Sequence, residues 1–201
     1  MRVAVIKYNA GNIYSVVHGL NRLGIEPVIT DNKDEIQRAD CVVFPGQGEA
    51  KKTMEYLRSR QLDSVIKGLT QPVLGICIGM QLLCDHSEEG ETDCLGIFDT
   101  TVKRFIPTQQ DQKIPHMGWD TLTDLHSPLF KGLQEDCFVY FIHSYYVPVT
   151  KYTIATNDDI HPFSAALHKD NFYATQFHPE KSGGIGEKII QNFLNIVQNN
   201  A

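Results

Sequence analysis

No apolar run in this 201-residue chain approaches the roughly 18 consecutive residues that a membrane-spanning helix needs. The opening stretch "MRVAVIKYN" is too short and too quickly polar for a secretory signal. There is no basic block either. Lysine plus arginine is 18 against 24 aspartate plus glutamate, a net charge of −6. That balance argues against binding nucleic acid or an anionic membrane by general electrostatics. Cysteine is sparse and unpaired: Cys41, Cys77, Cys84, Cys94 and Cys137 are odd in number and contain no Cys-x-x-Cys. A disulfide framework and a zinc knuckle are both disfavoured. His-Glu-x-x-His, Gly-x4-Gly-Lys and Gly-x-Gly-x-x-Gly are all absent. The expectation is a soluble, cytoplasmic protein with no metal and no cofactor.

What is present is an ordinary globular composition, 42% hydrophobic, with enough apolar residues for a real core. No linker or repeat interrupts it, so residues 1–201 read as a single domain. "RVAVIKY", "EPVIT", "CVVF" and "PVLGI" are short apolar runs of strand type. Between them lie helical patterns. Ile13, Val16, Val17, Leu20 and Leu23 share one face and end at Gly24, and residues 50–69 form a second helical stretch. "GMQLLCDH" opens a further helix. Alternating elements of this kind predict an open α/β fold with a mostly parallel central sheet and helices on both faces. After Asp85 the pattern becomes β-rich, with "LGIFDTTVKRF", "CFVYFIHSYYVPV", "YTIAT" and "NFYATQF" as strands. The last helix carries one stripe: Ile189, Ile190, Phe193, Leu194 and Val197. Ligands of such folds sit beyond the carboxyl ends of the strands.

At one such end stands Gly75-Ile76-Cys77-Ile78-Gly79, the form G-x-C-x-G. It is a nucleophile elbow with sulfur in place of oxygen. A sharp strand-to-helix turn crowds the backbone, and glycines at both flanks relieve the crowding. The turn pushes the Cys77 side chain outward. The free N–H groups and dipole of the helix start favour a thiolate and can hold an oxyanion. The other four cysteines have no such setting and read as core residues.

A thiol nucleophile needs a base. His178 in "YATQFHPEKS" follows a strand, and Glu180 stands two residues on. In an extended chain both would point the same way, and Glu180 would orient the imidazole. "FPGQG" ends another strand, and its glycines leave backbone N–H groups free to face a cleft. By themselves these residues say cysteine acyl transfer. They would serve a thiol protease or a thioesterase as well.

The G-I-C-I-G-M-Q and F-H-P-E-K-S motifs, about a hundred residues apart, resemble those of the class I, triad-type glutamine amidotransferases. The resemblance implies Cys77 as nucleophile, His178 as base and then acid, and Glu180 as orienting carboxylate. It implies an oxyanion region from the backbone of Gly46, Gln47 and Ile78, and glutamine contacts from Gln81, Ser144 and Tyr145. Two more stretches, "IPHMGWD" (114–120) and "FIHSYYV" (141–147), together with "YNAGNIYSV" near the start, are similar to the glutaminase subunits of imidazole glycerol phosphate synthases. That similarity covers essentially the whole chain. It implies a heterodimer with a (β/α)8 cyclase subunit, L-glutamine as substrate, and ammonia passed on to histidine biosynthesis. Asn12, Trp119, Tyr140 and Lys181 fall where that family meets its cyclase. Three positions depart from the pattern: Lys7 replaces an acidic residue, Gln47 a small apolar one and Asp120 an asparagine. They keep open a glutaminase subunit serving another synthase. A redox-sensing thiol protein is the reading from a different class.

Overall fold

Every residue of "VAVI", "CVVF" and "VLGI" is buried, as expected of strands covered on both faces. The computed structural model describes residues 1–8, 13–108 and 112–199. The first half alternates β1 (Val3–Ile6), α1 (Ile13–Arg22), β2 (Val28–Thr30), α2 (Lys33–Gln37), β3 (Cys41–Phe44), α3 (Ala50–Ser59), α4 (Leu62–Lys67), β4 (Val73–Ile76) and α5 (Ile78–Leu82). The second half holds β5 (Cys84–Ser87), β6 (Thr92–Asp93), β7 (Phe98–Arg104), β8 (His116–Leu122), β9 (Cys137–His143), β10 (Tyr145–Tyr146), β11 (Thr153–Asn157), β12 (Phe163–Lys169), β13 (Phe172–Thr175) and α6 (Gly183–Asn199).

The main sheet has the order β11-β12-β13-β4-β3-β1-β2. Neighbours from β13 to β2 pair in parallel, whereas β11, β12 and β13 pair antiparallel. Alternate strand residues feed two cores. Val3, Val5, Val43 and Leu74 face α1, α6 and the β8–β9 hairpin. Ala4, Ile6, Val42 and Phe44 face α2 to α5. The predicted α/β sandwich with a β-rich second half is therefore present. A smaller sheet, β10-β7-β5-β6, flanks it.

Several local expectations need correction. Residues 50–69 are two helices, broken at Gln61, whose φ is +56°. In a straight helix Leu57 and Ile66, nine residues apart, would lie on opposite faces. The break lets both, and Leu62, reach full burial. The helix after Cys77 lasts only five residues. Cys84 to Ser87 leave it to pair with β6 and β7. The strands β8 and β12 and the helix α2 were not anticipated. "FSAALHK" of β12 lacks β-branched residues, and its small side chains are buried beside β11 and β13. α2 is set by Asn32, whose side chain accepts from the N–H groups of Asp34 and Glu35.

Candidate active site

β4 stops at Ile76, and Cys77 turns the chain with φ 53°, ψ −109°. Side-chain-bearing residues rarely occupy that region, and it costs of order 1–3 kcal/mol. The flanking glycines are sterically required. A Cβ on Gly75 would lie 2.8 Å from Leu83 Cδ1, and one on Gly79 would lie 2.1 Å from the Phe44 carbonyl oxygen. The elbow is thus wedged against the end of β3. Its amide is also fixed: Cys77 N–H donates to Thr175 O at 2.7 Å, continuing the β4–β13 ladder.

That ladder carries the chain on to Gln176, Phe177 and His178. His178 Nδ1–H donates to Glu180 Oε1 at 2.7 Å, and both side chains are almost wholly buried. The pair meets in a way the sequence did not suggest. Pro179–Lys181 form a 3-10 turn rather than an extended strand. Two helices hold this turn through glycines. Gly19 of α1 faces Glu180, and a Cβ on Gly186 of α6 would lie 1.9 Å from the Pro179 carbonyl oxygen. Ser182 donates its hydroxyl to His178 O at 2.6 Å and accepts Tyr140 N–H at 2.9 Å.

His178 Nε2 is buried and has no conventional hydrogen-bond partner among the described residues. Burial lowers the affinity of this imidazole for its proton. The facing Cys77 sulfur and the Glu180 carboxylate outweigh that and raise its pKa to about 10. The group is thereby suited to carry a proton between two anions. Cys77 Sγ also faces Ile142 O at 3.8 Å and receives Gln176 Nε2 at 3.7 Å. The same thiol charge, after burial, pushes the Tyr8 hydroxyl up. Tyr8 donates to the Pro45 carbonyl, tying β1 to the "PGQG" turn. Burial pushes Cys41 and Cys94 up to about 12 and raises Cys84. These three thiols are correspondingly inert.

A cleft of about 390 Å³ opens over Cys77. Gln47 and Gly48 line it from the β3–α3 turn, Ile78 and Gln81 from α5, and His143, Ser144 and Tyr145 from the β9–β10 segment, together with Glu89. Gly46 is buried against Ile78 and Tyr8. Gln47 and Gly48, not Gly46, therefore face the cleft. Ile78 opens α5, a position whose N–H has no partner within the helix. Gln81 is tied into the protein: its amide donates to Tyr145 O at 2.9 Å and to Gln176 Oε1 at 3.0 Å. Glu89 on the cleft wall and the buried Gln176 are among the residues that no sequence motif marked. Glu89 lies in the turn between β5 and β6. Its Oε2 accepts Ala50 N–H at 2.8 Å. Burial raises its pKa, the Ala50 bond opposes that, and Glu49 adds to it. Gln176 is fully buried beside Cys77, and only its place two residues before His178 hinted at it.

Trp119 and Tyr140 pair across β8 and β9 in an edge-to-face contact at 6.1 Å, and Lys181 Nζ lies 5.9 Å from the Tyr140 ring. Trp119 is 55% exposed. Three of the expected interface residues thus share one face beside the His178 turn. Asn12 lies outside the described residues. His116, Asp120 and Asp159 bring possible metal-ligand atoms within 4.8 Å of one another. Within that cluster His116 Nε2 lies 3.2 Å from Asp120 Oδ2 and 3.6 Å from Asp159 Oδ2. Among the described residues no helix is long and apolar enough to cross a membrane.

A buried thiol, imidazole and carboxylate lie together at the strand ends of an open α/β sheet, beneath a cleft, an arrangement suited to cysteine acyl transfer. Residues 4–197 match the family model for glutamine amidotransferase class-I. The PurLQS structure from Thermotoga maritima superimposes with a TM-score of 0.73 at 17% identity, over 98% of each chain, and supports the fold. The chain is 64% identical to the imidazole glycerol phosphate synthase subunit HisH of Bacteroides fragilis, over 98% of its own length and all of the relative's. It is 43% identical to the subunit of that name from Escherichia coli, over 96% and 99% of the two chains. The chain belongs to the class-I glutamine amidotransferases and, within them, to the HisH subunits.

Proposed function

We infer that the chain hydrolyses L-glutamine to glutamate and ammonia, and supplies the ammonia to the cyclase subunit of an imidazole glycerol phosphate synthase. The observation that carries the chemistry is the Glu180–His178 hydrogen bond of 2.7 Å beside Cys77, with the cleft directly above the sulfur. The whole chain works as one catalytic unit, since the residues involved come from both halves of the sequence.

In this reading the Cys77 thiolate attacks the side-chain amide carbon of glutamine. The N–H of Ile78 and the Gln47–Gly48 turn receive the oxyanion. The imidazolium of His178 gives its proton to the departing ammonia and leaves a thioester on Cys77. His178 then takes a proton from water, which releases glutamate. Glu180 holds Nδ1–H throughout and stabilises the imidazolium. Glu89 is the one carboxylate on the cleft wall among the described residues and suits the α-ammonium of the substrate. The Ser144–Tyr145 backbone suits its α-carboxylate.

Trp119, Tyr140 and Lys181 fit a partner face. They combine an exposed aromatic with a cation, and Tyr140 O accepts the His178 amide at 2.9 Å. Partner binding would therefore reach the base through one peptide unit. The test is glutamate release by the chain alone, then mixed with the cyclase subunit and its nucleotide ligand. A low rate alone that rises strongly in the mixture is expected. No rise would remove the histidine-pathway assignment and direct the search to another synthase. Failure to release glutamate under any condition would overturn the chemistry.

A further inference from the structure

A line of polar contacts runs from the outside of the β8–β9 hairpin to the reactive thiol, hydrogen-bonded from His116 inward. Asp120 Oδ2 and Asp159 Oδ2 lie 3.2 and 3.6 Å from His116 Nε2. His116 Nδ1 is 3.3 Å from His143 Nε2. His143 Nδ1 is 2.7 Å from Tyr145 O. That carbonyl also accepts Gln81 Nε2, which donates in turn to Gln176 Oε1. Gln176 Nε2 reaches the Cys77 sulfur at 3.7 Å. The mechanism above uses the inner end of this line and leaves the two histidines without a role.

Donor and acceptor chemistry gives the line one direction. A carbonyl oxygen only accepts, so His143 Nδ1 carries a hydrogen. His143 is neutral: burial, opposed by the Tyr145 bond and reinforced by His116 and His178, lowers its pKa to about 3. Its Nε2 is then a bare acceptor, and the hydrogen between the rings belongs to His116 Nδ1. The two carboxylates face the other nitrogen of His116 at ion-pair distance. The rings have little freedom to rearrange. Both residues are 6% exposed. His116 stacks on Phe141 at 4.9 Å, and His143 packs between Phe105 and Phe163. Asp120 is itself steered by Thr121 N–H, which donates to its other oxygen at 2.7 Å.

We propose that His116 is a positioning residue for the substrate cleft: anchored by Asp120 and Asp159, it fixes the Nδ1–H tautomer of His143, which holds the Tyr145 carbonyl and with it the Ser144–Tyr145 wall facing Cys77. The proposal rests on the glutamine reading of that cleft. Without the His116 donor, His143 can place its hydrogen on Nε2 instead. A ring lone pair then faces the Tyr145 oxygen, the contact turns repulsive, and the wall moves. The Cys77–His178–Glu180 array is not touched. The loss falls on substrate binding and spares the chemical step.

The test uses the full chain assembled with its cyclase subunit. The variants are His116→Leu, His116→Asn and the double variant Asp120→Ala/Asp159→Ala. Asparagine can put its amide nitrogen where Nδ1 stood, so it restores the donor; leucine cannot. His116→Leu is expected to raise KM for glutamine about tenfold, the worth of one well-placed hydrogen bond, with kcat changed far less. His116→Asn should lie close to the parent. Ring 15N spectra should show His143 as the Nδ1–H form in the parent and in His116→Asn, and as a tautomer mixture in His116→Leu. If leucine at 116 prevents folding, the double alanine variant, whose carboxylates lie at the protein's edge, should raise KM in the same direction. An unchanged KM in the folded variants, or asparagine failing to restore it, overturns the proposal. Labelling of Cys77 by the electrophilic analogue 6-diazo-5-oxo-L-norleucine separates the two levels. Parent protein that resists the analogue overturns the glutamine reading itself. Normal labelling with an unmoved KM overturns only the role of His116.

Discussion

The two walls of the cleft are made of different materials. The Cys77 wall is backbone. Its geometry comes from parallel strand ends, a positive φ at Cys77 and glycines at positions where an added Cβ would clash with neighbouring atoms. The other wall, at 142–145, is held by side chains: two histidines, a glutamine pair and two carboxylates. A backbone wall has few tolerated substitutions and little freedom to adjust. A side-chain wall can be retuned one hydrogen bond at a time. In the function proposed above, the first wall would carry the chemistry, and the second substrate recognition and the partner face.

Four substitutions probe that contrast, in falling order of effect. Cys77→Ser keeps the elbow and removes the thiolate. Glutamate release should fall by about 10⁴-fold or more, with the fold intact by circular dichroism. Retention of most activity would show that the elbow does not supply the nucleophile. Gly79→Ala leaves every reactive group in place but drives a Cβ into the Phe44 carbonyl. Destabilisation of about 3 kcal/mol or more is expected, read as the denaturant midpoint. A stability loss within experimental error would mean that the backbone wall is softer than its distances imply.

Glu180→Gln should lower kcat by about 10²-fold, less than loss of the thiol. It should also move the pH profile. The Glu180 anion raises the His178 pKa towards about 10. Removing that charge lowers the pKa, so the alkaline limb of kcat/KM shifts to lower pH. A limb that stays in place would separate Glu180 from the imidazole's proton. Smallest is Glu89→Gln on the recognition side. KM for glutamine should rise about tenfold, as for one charge-assisted hydrogen bond, with kcat nearly unchanged. A fall in kcat at constant KM would put Glu89 on the chemical side of the cleft.

The same contrast explains what could be read in advance. Motifs whose geometry is local were legible: G-x-C-x-G set the elbow, and His-Pro-Glu set the imidazole–carboxylate pair. The short apolar strands and the amphipathic α1 and α6 were legible for the same reason. What escaped depends on distant partners. β12 is a strand because β11 and β13 flank it, although its alanines and serine carry no strand signal. The break at Gln61 has no glycine or proline to announce it. It exists because Leu57, Leu62 and Ile66 all need the same face of the sheet. Gln176 and Glu89 acquire meaning only where the fold delivers them to Cys77. Even the 3-10 turn of Pro179–Lys181, which replaces the expected extended path, is set by the glycines of α1 and α6 outside the motif.

The order of the main sheet also has a consequence for how the protein comes into being. β13, the last strand made, lies beside β4 near the middle of the sheet. At ribosomal speeds of about 5–20 residues per second, β4 and its cysteine emerge several seconds before the strand that must pair with them. During that interval the thiol has neither its base nor the ladder bond to Thr175. Closing the centre of the sheet and assembling the reactive pair are therefore one event. In the proposed mechanism, a growing chain would release no ammonia before β13 and His178 have been made.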